Sequence, residues 1–191
     1  MYHTTATVPS GHIFIIGGEK ADGSNTAYLE HYLFDPAGPS FKLLPADNGP
    51  PGICGHASII LPDGRLFVFG GYSQPQASLL PFSTIFTMDT TQSSLSWTTF
   101  TTSNSSLPPP RRAFAAALLS DGNILIHGGS DAALQNNFDD GWILDTSQNP
   151  MVWTQISVLS QLGARRDHFA VSSGSQVIFG FGLSSIPRGY P

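Results

Sequence analysis

Residues 66–71, Leu66-Phe67-Val68-Phe69-Gly70-Gly71, form an apolar run closed by a glycine doublet, and the same phrase returns along the chain. It stands at Ile13-Phe14-Ile15-Ile16-Gly17-Gly18 and at Ile124-Leu125-Ile126-His127-Gly128-Gly129. A worn fourth copy is Val177-Ile178-Phe179-Gly180-Phe181-Gly182, read with Gly182 as the first glycine and Leu183 in place of the second. From Gly17 through Gly70 and Gly128 to Gly182 the intervals are 53, 58 and 54 residues. A period near 50 residues marks an architecture built from stacked copies of one supersecondary unit.

Other features keep step with the doublet. Fourteen residues ahead of it stand His3, His56, Phe114 and His168, each opening a short run of small and apolar residues such as Ala57-Ser58-Ile59-Ile60-Leu61. These runs are expected to be strands. Tight turns join them to the glycine-doublet strands: Ser10-Gly11, Asp63-Gly64, Asp121-Gly122 and the looser Ser173-Gly174-Ser175. Asp-Gly between two apolar runs predicts a type I′ hairpin, with positive φ at both central residues. A third strand follows a polar loop and ends in aspartate at Asp35, Asp89 and Asp145. A fourth carries an aromatic, Phe41, Trp97 or Trp153, lying 6, 8 and 8 residues further on. Proline-rich connectors such as Leu107-Pro108-Pro109-Pro110 lead to the next copy, and proline suits a loop because it cannot donate to a sheet ladder.

A four-stranded antiparallel unit whose second strand is apolar on both faces cannot bury itself alone, so copies must pack face to face. Radial stacking of such sheets is a β-propeller. Glycine at the strand end permits positive φ and a close approach of the neighbouring backbone. The outer-strand Trp would wedge between units, with an indole N–H able to reach a loop carbonyl.

In its glycine doublets Gly17-Gly18, Gly70-Gly71 and Gly128-Gly129, its pre-strand spacing and its Trp97 and Trp153, the chain resembles the kelch repeat from Tyr2 to about Leu183. It departs from that pattern at Phe41 in place of Trp, at Phe114 in place of the recurrent His, and in a fourth copy without outer strands. The expected fold is all-β: a partial kelch-type β-propeller of three four-stranded blades, residues 1–53, 54–110 and 111–165, plus the inner hairpin of a fourth, 166–183, and a tail, 184–191. No strand pattern is visible in the tail. Closed propellers have about four to eight blades, so the reading is of a fragment or truncated gene model, its ring completed by further blades in cis or by self-association. Within kelch-type proteins the pattern looks like the fungal group that includes the galactose oxidase central domain, many of whose members are secreted or membrane-anchored.

Composition narrows the function. Charged residues are 11% of the chain and hydrophobic ones 40%, with 20 glycines and 15 prolines, which is too apolar for disorder and too turn-rich for a helical bundle. Eight basic residues against 13 acidic ones, with no basic run beyond two, exclude the footprint of a nucleic-acid binder. No apolar run approaches the roughly 20 residues of a membrane span, and no signal peptide opens the sequence. Two lysines, abundant Ser/Thr and the sequon Asn104-Ser105-Ser106 point outward, to a secreted protein or an ectodomain, with a cytoplasmic location also open. The single Cys54 can form no internal disulfide.

Searches for chemistry return little. Gly128-Gly129-Ser130-Asp131-Ala132 fails as a nucleophile elbow at its last position, and Gly180-Phe181-Gly182 lacks the third glycine and helix of a phosphate loop. The galactose oxidase resemblance raises copper, for which Cys54, His3, His56, His168, Tyr2 and Tyr72 are the candidate donors. Because the histidines recur at one repeat position, a structural role, a hydrogen bond to loop backbone, explains them more simply. Asn136, Asn137, Asp139 and Asp140 lack calcium-loop spacing, and turn capping is expected. Two basic pairs share a repeat position, Arg111-Arg112 and Arg165-Arg166. The resemblance implies that these loops line a channel mouth, where a guanidinium fork suits an acidic ligand; a blade-to-blade ion pair or a solvated loop charge is the plainer role. The expectation is a non-catalytic scaffold, with no metal or cofactor, that recognises a protein or glycan through its mouth loops. The alternative is part of a copper-radical oxidase, and a third possibility is a degenerate gene product without a stable fold.

Overall fold

Each apolar run becomes the second strand of an antiparallel sheet in the computed structural model, which describes residues 2–22, 24, 26–103, 105–156 and 162–184. Asn104 of the sequon and tail residues 185–191 lie outside the described residues. The first blade orders β1 (Thr4–Thr7), β2 (Ile13–Ile16), β3 (Tyr32–Asp35) and β4 (Ser40–Leu43) side by side. In the second, β5 (Ile53–Cys54) leads into β6 (Ala57–Ile60) and β7 (Arg65–Phe69). After β8 (Tyr72–Ser73) and β9 (Ser78–Leu79), the sheet is completed by β10 (Thr84–Asp89) and β11 (Trp97–Thr101), while β5, β8 and β9 form a small sheet of their own. The third blade is β12 (Ala115–Leu118), β13 (Ile124–His127), β14 (Gly141–Asp145) and β15 (Val152–Ile156). The fourth copy is the hairpin β17 (Phe169–Ser173) and β18 (Gln176–Gly180), flanked by β16 (Arg165–Arg166) paired with β19 (Leu183–Ser184). Ser184 thus belongs to a short strand that the sequence pattern did not show. Inner strands neighbour one another in series, β1 with β6, β6 with β12 and β12 with β17. The molecule is the expected partial propeller of three blades and an inner hairpin.

The core lies in the seams between blades. Leu66 and Val68 of β7 pack with Phe14, Ile16, Met88 and Trp97, whereas Phe67 and Phe69 pack the other way with Phe82, Ile124, Ile126 and Trp153. A strand sandwiched between two sheets has no solvent face, which is why its sequence shows no polar alternation. The outer-strand tryptophans do wedge between blades: Trp97 Nε1–H donates to Pro45 O at 2.9 Å, and Trp153 Nε1–H donates to Phe82 O at 3.1 Å, each in the preceding blade or its exit loop. Phe41, at the same position of the first blade, is 66% exposed because no described sheet lies before it.

The glycine doublet sets the seam distance. The second glycine donates its N–H to the segment entering the next copy: Gly18 to Ile53 O at 2.8 Å, Gly71 to Arg111 O at 3.0 Å and Gly129 to Arg165 O at 2.9 Å. The first glycine keeps that segment free of a side chain, since a Cβ on Gly128 would stand 2.5 Å from Arg165 O.

Two local expectations are corrected. The Ser-Gly and Asp-Gly turns are not type I′. Leu61 N–H donates to Arg65 O and Gly64 N–H to Leu61 O, with the same pattern at Val8–His12 and Leu119–Asn123. Only Gly11, Gly64 and Gly122 have positive φ, at 89°, 87° and 87°. These are three-residue loops closed by a left-handed glycine, in which Asp63 and Asp121 accept the N–H of Arg65 and Asn123 instead of adopting positive φ. The fourth doublet is also shifted by one residue. Gly180 pairs with Phe169 as His127 pairs with Ala115 and Phe69 with Ala57, so the doublet is Phe181-Gly182. The cause is the shorter fourth turn, Gly174-Ser175, between the paired Ser173 and Gln176. Phe181 stands where the other copies have their first glycine, at φ 59° and 85% exposed, and no described blade approaches it.

The two kinds of glycine separate in their response to a methyl group. Gly122→Ala meets nothing within 4 Å and bears only the left-handed backbone cost, roughly 1 kcal/mol. Gly128→Ala adds a collision with the Arg165 carbonyl, and is expected to lower stability by more than about 2 kcal/mol in urea unfolding. Equal losses from the two variants would remove the seam-spacing role.

Candidate functional site

One residue ahead of His3, His56, Phe114 and His168 stand Tyr2, Gly55, Ala113 and Asp167, and all four adopt left-handed backbone, with φ of 59°, 62°, 58° and 56°. The conformation turns their peptide groups toward one another. Gly55 N–H donates to Tyr2 O at 3.1 Å, Ala113 N–H to Gly55 O at 2.8 Å, and Asp167 N–H to Ala113 O at 2.9 Å. A single chain of hydrogen bonds therefore links all four copies where their chains enter the inner strands. Left-handed backbone costs a non-glycine residue about 1–2 kcal/mol, and the interblade hydrogen bonds offset that strain.

Charged side chains stand around this chain. Arg112 Nη1 lies 3.9 Å from Glu19 Oε1, and its guanidinium covers the Tyr72 ring at 5.3 Å. Cys54 Sγ–H donates to the same Glu19 oxygen at 3.2 Å. Burial, the Glu19 hydrogen bond and the Glu19 charge push the Cys54 thiol up to about 12, which favours the protonated thiol at neutral pH. Arg166 Nη1 pairs with Asp167 Oδ2 at 2.6 Å. Burial, then the Asp167 charge, raise the Tyr2 phenol above its ordinary range, with Arg166 and Arg112 opposing. Tyr2 thus sits among four charges of alternating sign contributed by three copies.

The four arginines singled out by sequence part company. Arg112 and Arg166 stand beside the hydrogen-bonded chain and stay partly exposed. Arg165 Nη1–H donates to Phe181 O at 3.4 Å, and its Nε is buried without a partner. Arg111 is 0% exposed. Its guanidinium forms a two-pronged pair with Asp140, donates to Pro109 O and Gly128 O, each at 3.0 Å, and covers the Phe138 ring at 4.0 Å. Full burial removes Arg111 from the ligand-facing set and makes it a strut of the third blade.

Asp140 likewise is no turn cap: it holds Arg111 and accepts the Trp142 indole N–H at 2.6 Å. Burial alone would raise its carboxyl, but the Arg111 and Trp142 hydrogen bonds outweigh it and hold the group below its ordinary range. The histidines also differ from expectation, bonding side chains across seams instead of loop backbone. His56 Nε2 meets Thr4 Oγ1 at 2.7 Å, and His168 Nε2 meets His127 Nδ1 at 3.0 Å. His56 and His168 are engaged in separate seams, and Cys54 is held by Glu19. Among the described residues no group of three or more His, Cys, Asp or Glu side chains could hold a metal ion.

The sequence singled out neither Glu19 nor Asp167, and it offered Tyr2 only as a copper donor. Tyr2 and Asp167 share nothing but a repeat position, because the backbone state that places Tyr2, Gly55, Ala113 and Asp167 leaves no common side chain behind.

Comparison with known proteins is consistent with this geometry. The family model KLHDC2/KLHL20/DRC7 Kelch-repeats domain matches residues 1–185. Adagio-like protein 3 of Oryza sativa subsp. japonica is 28% identical over 165 residues, 84% of this chain and 26% of that protein. Adagio-like protein 1 of the same organism is 28% identical over 167 residues, 82% of this chain and again 26% of the relative. The chain therefore spans about a quarter of the length of these curated relatives. The solved structure of YjhT superposes with a TM-score of 0.73 at 16% identity, over 93% of this chain and 57% of that one.

The Arg111–Asp140 pair carries a testable electrostatic consequence. Asp140→Asn leaves a buried guanidinium without its counter-charge and is expected to cost on the order of 3 kcal/mol. Because the Asp140 carboxyl titrates lower folded than unfolded, its share of stability is complete above the unfolded value near pH 4 and fades as pH falls below it. Urea midpoints at pH 7 and pH 3 check both points: the gap between wild type and variant narrows at the lower pH.

Proposed function

Because the chain belongs to the kelch-repeat family, whose domains generally mediate protein interactions, we propose that it is a non-catalytic recognition scaffold whose channel-mouth loops hold an acidic group of a protein or glycan partner. The observation that carries this reading is the placement of Arg112 and Arg166. Both guanidiniums stand partly exposed beside the hydrogen-bonded chain of Tyr2, Gly55, Ala113 and Asp167, each already oriented by one carboxylate. A guanidinium presents five donors in a planar fork, so donors remain for a carboxylate or phosphate after Glu19 or Asp167 has been served. Preorganised arginines lose little rotamer freedom on binding. A scaffold of this kind needs no cofactor.

Further blades, in cis or from another copy, complete the ring in this proposal. The first blade leaves Phe41 and Leu43 exposed on the face where the later blades bury Trp97 and Trp153. Apolar residues in the register of a seam call for another sheet.

Binding to an array of acidic peptides and acidic oligosaccharides tests the mouth. Arg112→Ala and Arg166→Ala should each weaken the strongest interaction about 10-fold or more, as expected for charge-assisted hydrogen bonds worth roughly 1.5–3 kcal/mol, with the unfolding midpoint little changed. Unaltered affinity in the double variant would sink the recognition role. Sedimentation decides how the ring is completed: a monomer over the full concentration range leaves only blades in cis.

A further inference from the structure

At the seam between the third blade and the fourth-copy hairpin, two imidazoles share one hydrogen bond. His127, the last residue of β13, and His168, just ahead of β17, meet through Nδ1 and Nε2 at 3.0 Å, with the rings edge to face. They are 1% and 8% exposed. His127 Nε2 and His168 Nδ1 are buried and have no partner, and Phe179 closes the site with its ring 5.3 Å from His127 and 6.3 Å from His168.

One imidazole must donate to the other, so the contact holds a single proton between the two facing nitrogens. A first added proton leaves that hydrogen bond in place but puts a charge in a buried seam; a second sets two N–H groups against each other across 3.0 Å. The charged groups around the pair do not reverse this. Arg165 from β16 faces both rings, while His127 also faces the ion pair of Asp140 and Arg111 and lies near the Asp139 backbone. β17 also lies beside β12, and further hydrogen bonds tie the entering and leaving segments to the third blade: Asp167 N–H reaches Ala113 O, Gly129 N–H reaches Arg165 O, Arg165 N–H reaches Phe138 O, and Asn137 Nδ2–H reaches Leu183 O, while Phe169, Val171 and Ile178 are exposed.

We propose that His127 and His168 form an acid-released latch that holds the fourth-copy hairpin on the third blade. The other seams carry non-titrating or singly titrating pairs at the same two positions: Phe69 against Phe114, with ring centroids 6.0 Å apart, and Ile16 with His56. Burial, then the His127 neighbour, bring His168 down to about 4, and burial with Arg165 lowers His127. A folded value below the unfolded one means that the latch is complete above about pH 6.5 and weakens as pH falls toward 4. The hairpin carries Arg166 and Asp167 at the mouth, so its release would dismantle that edge of the proposed binding site; the latch itself does not depend on the binding reading.

Native-state amide exchange, corrected for the intrinsic rate at each pH, tests the latch on the intact chain. Protection of β17 and β18 relative to β7 should fall at least about 10-fold between pH 7.5 and pH 5 in wild type. It should stay within about 3-fold in His127→Phe/His168→Phe, which copies the pair of the preceding seam. His56, brought down to about 3 by burial, is present in both proteins, so its contribution cancels. The same pH dependence in wild type and variant overturns the latch. Should the variant not fold, imidazole NMR titration of the wild type decides: two rings titrating independently near pH 6.5 overturn the proposal, and coupled titration well below that supports it.

Discussion

The backbone of each strand end comes so close to the chain entering the next copy that no side chain fits between them. Gly18, Gly71 and Gly129 donate N–H bonds across that gap, and Gly17 and Gly128 leave room for the Ile53 and Arg165 carbonyls. Everything radial in the molecule depends on this spacing. It brings Gly55, Ala113 and Asp167 within hydrogen-bond reach of the preceding copy, and it lets Trp97 and Trp153 reach carbonyls of the preceding sheet and its loops. A larger separation would leave voids beside β7, whose two faces are filled from opposite seams.

Equivalent positions have been put to different electrostatic uses. Arg111 and Arg112 are adjacent in sequence, yet one is a buried strut held by Asp140 and the other a partly exposed fork held by Glu19. In a chain with so few charges, each buried guanidinium needs a dedicated partner, because an unpaired one would cost several kcal/mol. The partly exposed Arg112–Glu19 and Arg166–Asp167 pairs carry less of this cost, and that difference is what the proposed recognition role uses.

The seams also differ in what crosses them. Phe69 and Phe114 join the second and third blades through stacked apolar rings, whereas His127 and His168 join the third blade to the hairpin through one shared proton. Packing of the first kind is indifferent to pH; a buried imidazole pair is not. Phe181 stands in a glycine's place, 85% exposed and with its ring against Phe169 of the same hairpin.

The repeat, the blade order, the strand pairs and the wedging tryptophans were legible in the chain because each rests on local periodicity and on glycine or aromatic residues whose demands are specific. Loop geometry was less so: Asp-Gly is compatible with two hairpin types, and the choice fell to whether Asp63 and Asp121 capped a backbone N–H. The slipped fourth doublet followed from one missing turn residue, which moves the register without changing composition. What only the tertiary structure decided was that Arg111 is buried while Arg112 is not, which charged side chains gather around Tyr2, and which histidines share a proton. Arg111 and Asp140 lie 29 positions apart and His127 and His168 lie 41 apart, and such partners are set by how the sheets and loops approach in space, a quantity that no single stretch of sequence encodes.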